Sequence, residues 1–220
     1  MYPLFSIPWL VFCFVFRIID RVKGSVNMYY HASSNMNITV LEPRLSEHGT
    51  PLVYFSSKRE NVLVYLSNAV EKYCRESGFM YEGPFQKWGP YGFDADGIQR
   101  IEEYYPDALK KTFEGVSGYI YSVQQIVPAS VIINIPDVHT SAFPVSVDYC
   151  ERVDNAYAAI LEAEKEGLIR ITRYEELSEK KKTWLEKIIR EEYENAQDHP
   201  EYRHFLLGNF PDILSVFLSD

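Results

Sequence analysis

Apolar residues along this chain recur with the two periods that distinguish strands from helices. Short apolar or alternating runs bounded by Pro, Gly or Ser predict strands at 29–30, 38–41, 52–55, 119–123, 131–135, 144–147 and 168–172. Helices are predicted, mainly from apolar residues three and four positions apart, at 57–76, 96–105, 151–166, 178–195, 199–207 and 211–218. Because strands and helices do not alternate regularly, this order favours an α+β fold over a doubly wound parallel sheet.

Two local signals set the expected boundaries of these helices. Ser57 precedes the first long helix, and Glu60 follows three residues later, which is the spacing of a capping box. Gly208 and Asn209 lie between the last two helical segments and predict a break there.

The segment 78–97 differs from the rest of the chain because Gly and Pro alternate with aromatic residues. Its aromatic members are Phe79, Tyr81, Phe85, Trp88, Tyr91 and Phe93. Loops of this length in compact domains are usually functional or packed as a unit of their own. The segment is therefore interpreted either as a stacking platform for a planar ligand or as a lid over the core.

The first 16 residues carry no charged side chain and are strongly apolar. As a helix they would span about 24 Å, which is less than the ~30 Å hydrocarbon core of a bilayer. Extending the apolar stretch through residue 19 makes a membrane span marginally feasible. The cations Arg17, Arg21 and Lys23 follow this stretch, which is the reverse of a secretory signal.

Three interpretations of residues 1–27 follow from this pattern. The segment is a membrane anchor in contact with the bilayer through residues 1–19, a mis-assigned extension upstream of a natural start at Met28, or a helix packed on the domain. The positive-inside rule places the following domain in the cytoplasm if the segment spans the membrane.

Composition restricts the classes of protein to which the chain can belong. Its 220 residues, with 46% hydrophobic and 24% charged residues, are typical of a globular domain with an appendage. The net charge of −9 argues against generic binding to a nucleic-acid backbone. Three widely spaced cysteines indicate neither a disulfide scaffold nor a zinc ribbon.

The common motifs for phosphate, metal and nucleophilic chemistry do not occur. The chain has no GxGxxG, GxxxxGK[ST], GxSxG or HExxH sequence. His199 and His204 are five residues apart, which places them on different faces of a helix, and no metal is expected.

One constellation, within residues 29–60, indicates a specific chemistry. Tyr30-His31-Ala32-Ser33 ends the first predicted strand, and Val53-Tyr54-Phe55-Ser56 ends a second strand that leads into a helix. The first motif resembles the YH(G/A)(S/T) strand of the ADP-ribosyltransferase-like family, and the second resembles its aromatic–small-polar strand. Leu41-Glu42-Pro43-Arg44 is similar to the L-x-P turn between them. The resemblance covers roughly residues 28–150.

The resemblance implies a split β-sheet whose cleft binds NAD as a co-substrate. His31 would hydrogen-bond the nicotinamide-side ribose, and Ser33 or its backbone would hold the carboxamide. Tyr54 would stack on the nicotinamide ring in the same cleft as His31, and Ser56 would support the end of that strand. The acceptor would be a protein, a nucleic acid or a small molecule.

The carboxylate of the family is the weakest part of the match. Transfer builds oxocarbenium character on the ribose, which a carboxylate usually stabilises. The corresponding segment, 140–145, contains no acid. Glu151 is the nearest Glu and the candidate catalytic residue, while Gln124 or Gln125 could substitute as a polar group. The expected function is therefore NAD binding with transferase activity that is altered or lost.

Two other functions remain open from the sequence. The chain could be a non-enzymatic interaction protein that uses the loop 78–97 and its acidic helices, or it could hydrolyse an N-glycosidic bond in the same cleft. The expected organisation is an apolar segment 1–27, an ADP-ribosyltransferase-like α+β domain 28–150 and a mainly helical extension 151–220.

Overall fold

The computed structural model describes residues 27–45, 49–82, 91–131 and 133–217. The fold is α+β, as the order of the predicted elements indicated. The strands are β1 Tyr29–Ser33, β2 Val40–Leu41, β3 Arg44–Leu45, β4 Pro51–Ser56, β5 Tyr91–Phe93, β6 Gln99–Glu102, β7 Gly118–Val123, β8 Val138–Ser141, β9 Val145–Ser146, β10 Tyr149–Val153 and β11 Ile169–Thr172. The α-helices are α1 Ala69–Glu76, α2 Ala108–Phe113, α3 Ala156–Lys165, α4 Glu179–Asn195, α5 Pro200–Asn209 and α6 Pro211–Phe217. Short 3-10 helices lie at Glu60–Leu66 and Tyr174–Glu176.

The central sheet places the two motif strands next to each other. Its strands lie in the order β10-β7-β1-β4-β3, and β8 also pairs with β4. β1 pairs with β7 along its whole length, from Tyr29 opposite Val123 to Ser33 opposite Tyr119. With β4, by contrast, it pairs only where Tyr30 lies opposite Ser56. The described sheet is therefore continuous on one side of β1 and nearly unpaired on the other.

Different elements pack on the two faces of this sheet. One, called here the ribbon face, is covered by the two-stranded ribbon of β2 and β9, and Leu41 and Val145 of that ribbon pack against Phe55, Tyr121 and Val123. The other, called the helix face, is covered by the 3-10 helix Glu60–Leu66 and by α3. On this face Ala32 and Ile120 share a cluster with residues of both helices, which are Val62, Leu63, Ala156 and Ile160.

A second sheet and a helical cluster complete the core. β6 pairs parallel to β11 and antiparallel to β5, and its Ile101 joins the helix-face cluster together with Ile169. A separate cluster joins α1 to the C-terminal helices through apolar contacts of Val70 and Cys74 with residues such as Ile189, Phe205 and Leu214.

The predicted helix 57–76 is replaced by two shorter elements. The 3-10 helix ends at Leu66, and α1 begins after Asn68, whose side chain accepts the backbone N–H groups of Val70 and Glu71. Asn is a strong N-cap, so it starts a new helix at this point. Ser57 is not a helix cap, because its hydroxyl donates to Asp137 at 3.2 Å.

The predicted helix 96–105 is wrong, because most of that segment forms β6 and the turn before it. The carboxylate of Asp94 accepts the backbone N–H groups of Asp96 and Ile98, which stabilises a tight turn. That turn returns the chain antiparallel to β5, and pairing with β11 then fixes β6 as a strand.

Tertiary pairing also shortens the helix predicted at 151–166. Residues 149–153 pair with β7, so α3 begins only at Ala156, after Asn155 accepts the N–H of Ala158. The described residues of 131–135 form no strand. The two closing helices are separated as predicted, but the break falls at Phe210, because Gly208 and Asn209 are the last residues of α5. The strands predicted at 52–55, 119–123 and 168–172 and the helix at 178–195 are confirmed within one or two residues.

The boundary expected at residue 150 falls inside β10, which pairs with β7 from Tyr149 to Val153. Ile160 of α3 lies in the same cluster as Ala32 of β1. Residues on the two sides of position 150 therefore share one core.

The interpretations of residues 1–27 concern a segment that is almost wholly outside the described residues. Within the described ranges, no helix combines the length and apolar character needed to cross a membrane.

Close packing at Gly118 predicts a specific stability effect. A Cβ added there would lie 2.6 Å from Cδ2 of the buried Leu66 and 3.1 Å from the carbonyl oxygen of Ser33. We expect Gly118→Ala to lower the free energy of unfolding by about 1–3 kcal/mol, the usual cost of overpacking. Urea denaturation measures this change.

Gly92→Ala in β5 is the matched control, because the nearest atom to its added Cβ is 3.7 Å away on Arg100. We expect that substitution to change the free energy of unfolding by no more than about 0.5 kcal/mol. Equal losses for the two variants would contradict the packing argument.

Candidate functional site

His31 joins the two motif strands at the point where their pairing stops. Its Nδ1 lies 2.9 Å from the backbone carbonyl oxygen of Tyr54. A carbonyl oxygen can only accept, so Nδ1 carries the proton and donates. In the neutral imidazole this leaves Nε2 as an acceptor. The ring also meets Phe55 edge-on, with 6.1 Å between the ring centroids.

The surroundings of His31 favour its neutral form. Burial lowers the pKa of His31, the hydrogen bond to the Tyr54 carbonyl opposes this, and the positive charge of Arg44 lowers the pKa further. The net shift is downward, so the imidazole is neutral at pH 7. Nε2 makes no hydrogen bond with any residue in the described ranges.

The side chains of His31 and Tyr54 lie on opposite faces of the sheet, so the expectation that they open into one cleft is wrong. Tyr30 and Ser56 are directly opposite each other and share the helix face. Side chains alternate along a strand, so Tyr54 is also on the helix face, while His31 and Phe55 are on the ribbon face. What the two motif residues share is the hydrogen bond from the His31 ring to the Tyr54 backbone.

Ser33 closes the turn that follows β1. Its Oγ accepts the backbone N–H of Asn35 at 3.2 Å. The Asn35 carbonyl in turn accepts the hydroxyl of Tyr121 at 2.7 Å, and Tyr121 also accepts the N–H of Ile38. The residue lies on the ribbon face with His31, and its proposed contact with a carboxamide stays a prediction.

Ser56 lies at the opposite end of the motif pair and starts the turn after β4. It is buried on the helix face, and its Oγ accepts the backbone N–H of Lys58 at 3.1 Å. Lys58 forms an ion pair with Asp137 at 2.9 Å, and the Ser57 backbone N–H donates to the Asp137 carbonyl. This turn is thereby fixed against the start of β8.

Glu151, the candidate catalytic residue, is held by Arg59. Arg59 Nε donates to one carboxylate oxygen at 2.8 Å, and its terminal nitrogen contacts the other. The carboxylate raises the pKa of the Arg59 guanidinium chiefly through this hydrogen bond. Glu151 lies opposite Ile120 on the helix face, so it is on the other side of the sheet from His31.

The alternative polar groups do not join His31 either. The backbone N–H of Gln124 donates to the carboxylate of Asp148 at 2.7 Å, and the side chains of Gln124 and Gln125 are exposed after the end of β7.

The candidate residues therefore form two groups rather than one site. His31 and Ser33 lie on the ribbon face, and Tyr54, Ser56 and Glu151 lie on the helix face. Sequence reasoning did not include Arg59, the partner of Glu151. The adjacent cations Lys58 and Arg59, shortly after the end of β4 at Ser56, were the available signal, because Lys and Arg near a buried segment usually have acidic partners.

A pocket of about 440 Å³ opens at the start of β1. Its described lining consists of Asn27, Met28, Tyr29, Tyr30, Ser57 and His139. The Tyr29 and His139 rings meet edge-on at 4.9 Å between centroids. The volume falls in the range of small-molecule sites. The pocket adjoins the only pair that joins β1 to β4 in the described sheet.

The described aromatic residues of the segment 78–97 pack into the fold. Phe79 stacks on His204 with 4.3 Å between ring centroids, and the hydroxyl of Tyr81 accepts a hydrogen bond from Asn68. Burial raises the pKa of Tyr91, which packs against the helix-face cluster. For these residues the lid interpretation fits better than the stacking platform. Phe85 and Trp88 lie outside the described residues.

Comparison of the chain with models of known protein families, with curated proteins and with solved structures gave no match. Within the described ranges, no group of three His, Cys, Asp or Glu side chains is close enough to hold a metal ion. The geometry of the candidate residues is therefore the basis for inferring a function.

The lowered pKa of His31 predicts a pH dependence of stability. Its pKa is lower in the folded chain than the value of about 6.5 in the unfolded chain, so protonation favours unfolding. The stability that it contributes is complete above about pH 6.5 and is lost as the pH falls toward the lowered folded pKa. We expect His31→Asn, which keeps a donor for Tyr54, to lose less stability than the parent between about pH 7 and 5.5.

Urea denaturation at pH 7 and 5.5 measures the free energy of unfolding of the parent and of His31→Asn. His199→Asn, at the start of α5, is the control for the loss of a histidine. Equal losses of stability in His31→Asn and the parent would show that the imidazole is not held neutral.

Proposed function

We propose that this chain is an ADP-ribosyltransferase-like protein that binds NAD beside the junction of β1 and β4, with transferase activity that is altered or lost. The observation that carries the proposal is the hydrogen bond from His31 to the Tyr54 carbonyl. It connects the two strands whose sequences resemble the family motifs, at the point where the sheet separates.

The state of His31 suits it to bind a sugar hydroxyl. Donation from Nδ1 to Tyr54 fixes the ring orientation, and the lowered pKa leaves Nε2 unprotonated. An unprotonated Nε2 accepts a hydrogen bond from a ribose hydroxyl, which is the role that the resemblance implies.

Arg44 is exposed and close enough to lower the pKa of His31. It lies opposite Leu52 of β4 and is therefore on the helix face with Tyr54, so it does not supply a phosphate partner on the His31 side of the sheet.

The position of Glu151 supports the loss or alteration of transfer. Cleavage of the glycosidic bond requires stabilisation of positive charge on the ribose, usually by a carboxylate. The carboxylate of Glu151 is already neutralised by Arg59 and lies on the opposite face from His31. A ligand held by His31 would therefore not meet this carboxylate.

The first test is NAD binding by calorimetry. We expect His31→Asn to keep the fold, because Asn retains a donor for the Tyr54 carbonyl, and to lose the Nε2 acceptor. Loss of one hydrogen bond costs about 1–3 kcal/mol when a buried partner is left unpaired, so we expect NAD affinity to fall about fivefold to a hundredfold.

His199→Asn should bind NAD like the parent and serves as the matched control. Undetectable binding of NAD by the parent would overturn the proposal and favour the interaction-protein function. Binding that is the same in His31→Asn and the parent would exclude the proposed role of His31.

The second test concerns chemistry rather than binding. Glu151→Gln keeps the shape of the side chain but removes its charge, and the ion pair that it breaks is half-exposed, so its loss should cost about 1 kcal/mol or less in stability. We expect the release of nicotinamide from NAD to be equally slow in this variant and in the parent. Chromatography of the reaction mixture measures that release, and a parent clearly faster than Glu151→Gln would assign a catalytic role to Glu151.

A further inference from the structure

The outermost strand of the central sheet, β10, has one edge that pairs with no strand in the described part of the chain. It stands at the end of the strand order, and its five residues pair with β7 in unbroken register. An edge of this kind presents backbone N–H and C=O groups with which a further strand can pair. Tyr149, Cys150 and Arg152 are exposed, and residues 147–155 contain no proline that would block an added strand.

The two ends of this edge carry opposite charges. Asp148, just before β10, accepts the backbone N–H of Gln124 at 2.7 Å, which leaves its negative charge without a cation among the described residues. Arg152 has an exposed ion pair with Asp154 at 2.8 Å, and such pairs contribute little to stability. Asp148 and Arg152 are an even number of residues apart, so both belong to the ribbon face with Tyr119.

Two-fold symmetry restricts how two copies of β10 can pair. Directly opposite residues of neighbouring strands lie on the same face of the sheet. In an antiparallel pair related by a two-fold axis, one residue must therefore lie opposite its own copy. Within β10 that central residue can be Tyr149, Cys150, Glu151 or Arg152, if at least three residues of each copy are to pair.

Charge complementarity selects Cys150 as the centre. With this centre, Asp148 of each copy lies opposite Arg152 of the other, which gives two opposite-charge pairs. A centre at Glu151 would instead place Asp148 opposite Asp154, and a centre at Arg152 would place two guanidinium groups together. A centre at the first residue of β10 forms no opposite-charge pair.

The same register covers an exposed aromatic ring. Tyr149, with 64% of its surface exposed, would lie opposite Glu151 of the second copy on the helix face. Glu151 is already paired with Arg59 of its own chain, so the phenol ring would meet a neutralised carboxylate. Pairing would thereby remove two tyrosine rings from water in each dimer.

We propose that this chain forms a two-fold dimer in which the β10 strands of two copies pair antiparallel about Cys150, so that the two central sheets become one. Backbone hydrogen bonds between the edges hold the copies together, and the two pairs of Asp148 with Arg152 fix the register. His31 and Tyr54 take no part in this interface, so the dimer does not depend on the proposed binding of NAD.

Sedimentation velocity of the full chain over a series of concentrations measures the dimer. We expect Arg152→Asp to weaken dimerisation about tenfold or more, because it replaces two opposite-charge pairs across the interface with two like-charge pairs. Asp148→Lys should weaken dimerisation similarly, since positions 148 and 152 are then both positive.

A mixture of these two variants separates the proposed contact from a general loss of structure. In a dimer of one Arg152→Asp chain and one Asp148→Lys chain, each aspartate again lies opposite a cation. The mixture should therefore dimerise at concentrations at which each variant alone is monomeric. Arg75→Asp in α1 is the matched control, because it makes the same change of charge and also breaks an exposed ion pair, with Glu71. It should dimerise like the parent.

Oxidation with diamide tests the register. Cβ atoms of opposite residues are about 4.5–5.5 Å apart, close to the roughly 3.5–4.5 Å of a disulfide. The test uses a Cys13→Ser chain, because Cys13 lies outside the described residues, and Cys74 is buried. Diamide takes two protons and two electrons from two Cys150 thiols, and the disulfide that forms should give a covalent dimer on a non-reducing gel. Further substitution with Cys150→Ser should abolish it.

Four results would overturn the proposal. They are a parent that stays monomeric up to its solubility limit, undiminished dimerisation of Arg152→Asp, a mixture of the two charge variants that dimerises no better than either alone, and a dimer that does not cross-link through Cys150. None of these measurements involves NAD, so this proposal and the proposed function can fail independently.

Discussion

A single side-chain hydrogen bond, from His31 to the Tyr54 carbonyl, connects β1 to β4 where their backbone pairing is missing. The two strands pair only at Tyr30 and Ser56. The hydrogen bond of the imidazole replaces further backbone hydrogen bonds between the two strands. It also fixes the proton on Nδ1 and the position of the ring. Burial keeps His31 neutral although this hydrogen bond opposes the lowering of its pKa, and donation by Nδ1 leaves Nε2 as the acceptor.

The pleat of the sheet then determines which side chains lie together on each face. Side chains alternate between faces with a period of two, so neighbouring residues of one motif are separated by the full thickness of the sheet. His31 belongs to the environment of the ribbon face. Glu151 and Arg59 belong to the other, where their charges neutralise each other.

The turn after β4 links these environments to the rest of the fold. Asn61 begins the buried side of the 3-10 helix, and its carbonyl accepts the side-chain N–H of Gln99 in the second sheet at 3.2 Å. Lys58 also reaches the Gly97 carbonyl. Arg59, which binds Glu151, therefore lies on a segment whose neighbouring residues are hydrogen-bonded to the second sheet and the turn before it.

Local patterns in the sequence determined the α+β class, the strands 52–55 and 119–123 and the helix 178–195, because hydrophobic period and chain punctuation are local properties. Only tertiary structure decided that 99–102 pairs as a strand and that 149–153 is the edge of the central sheet. It also decided the faces of His31, Tyr54 and Glu151. Strand register is set by long-range pairing, and a shift of one residue exchanges the faces of every side chain in a strand.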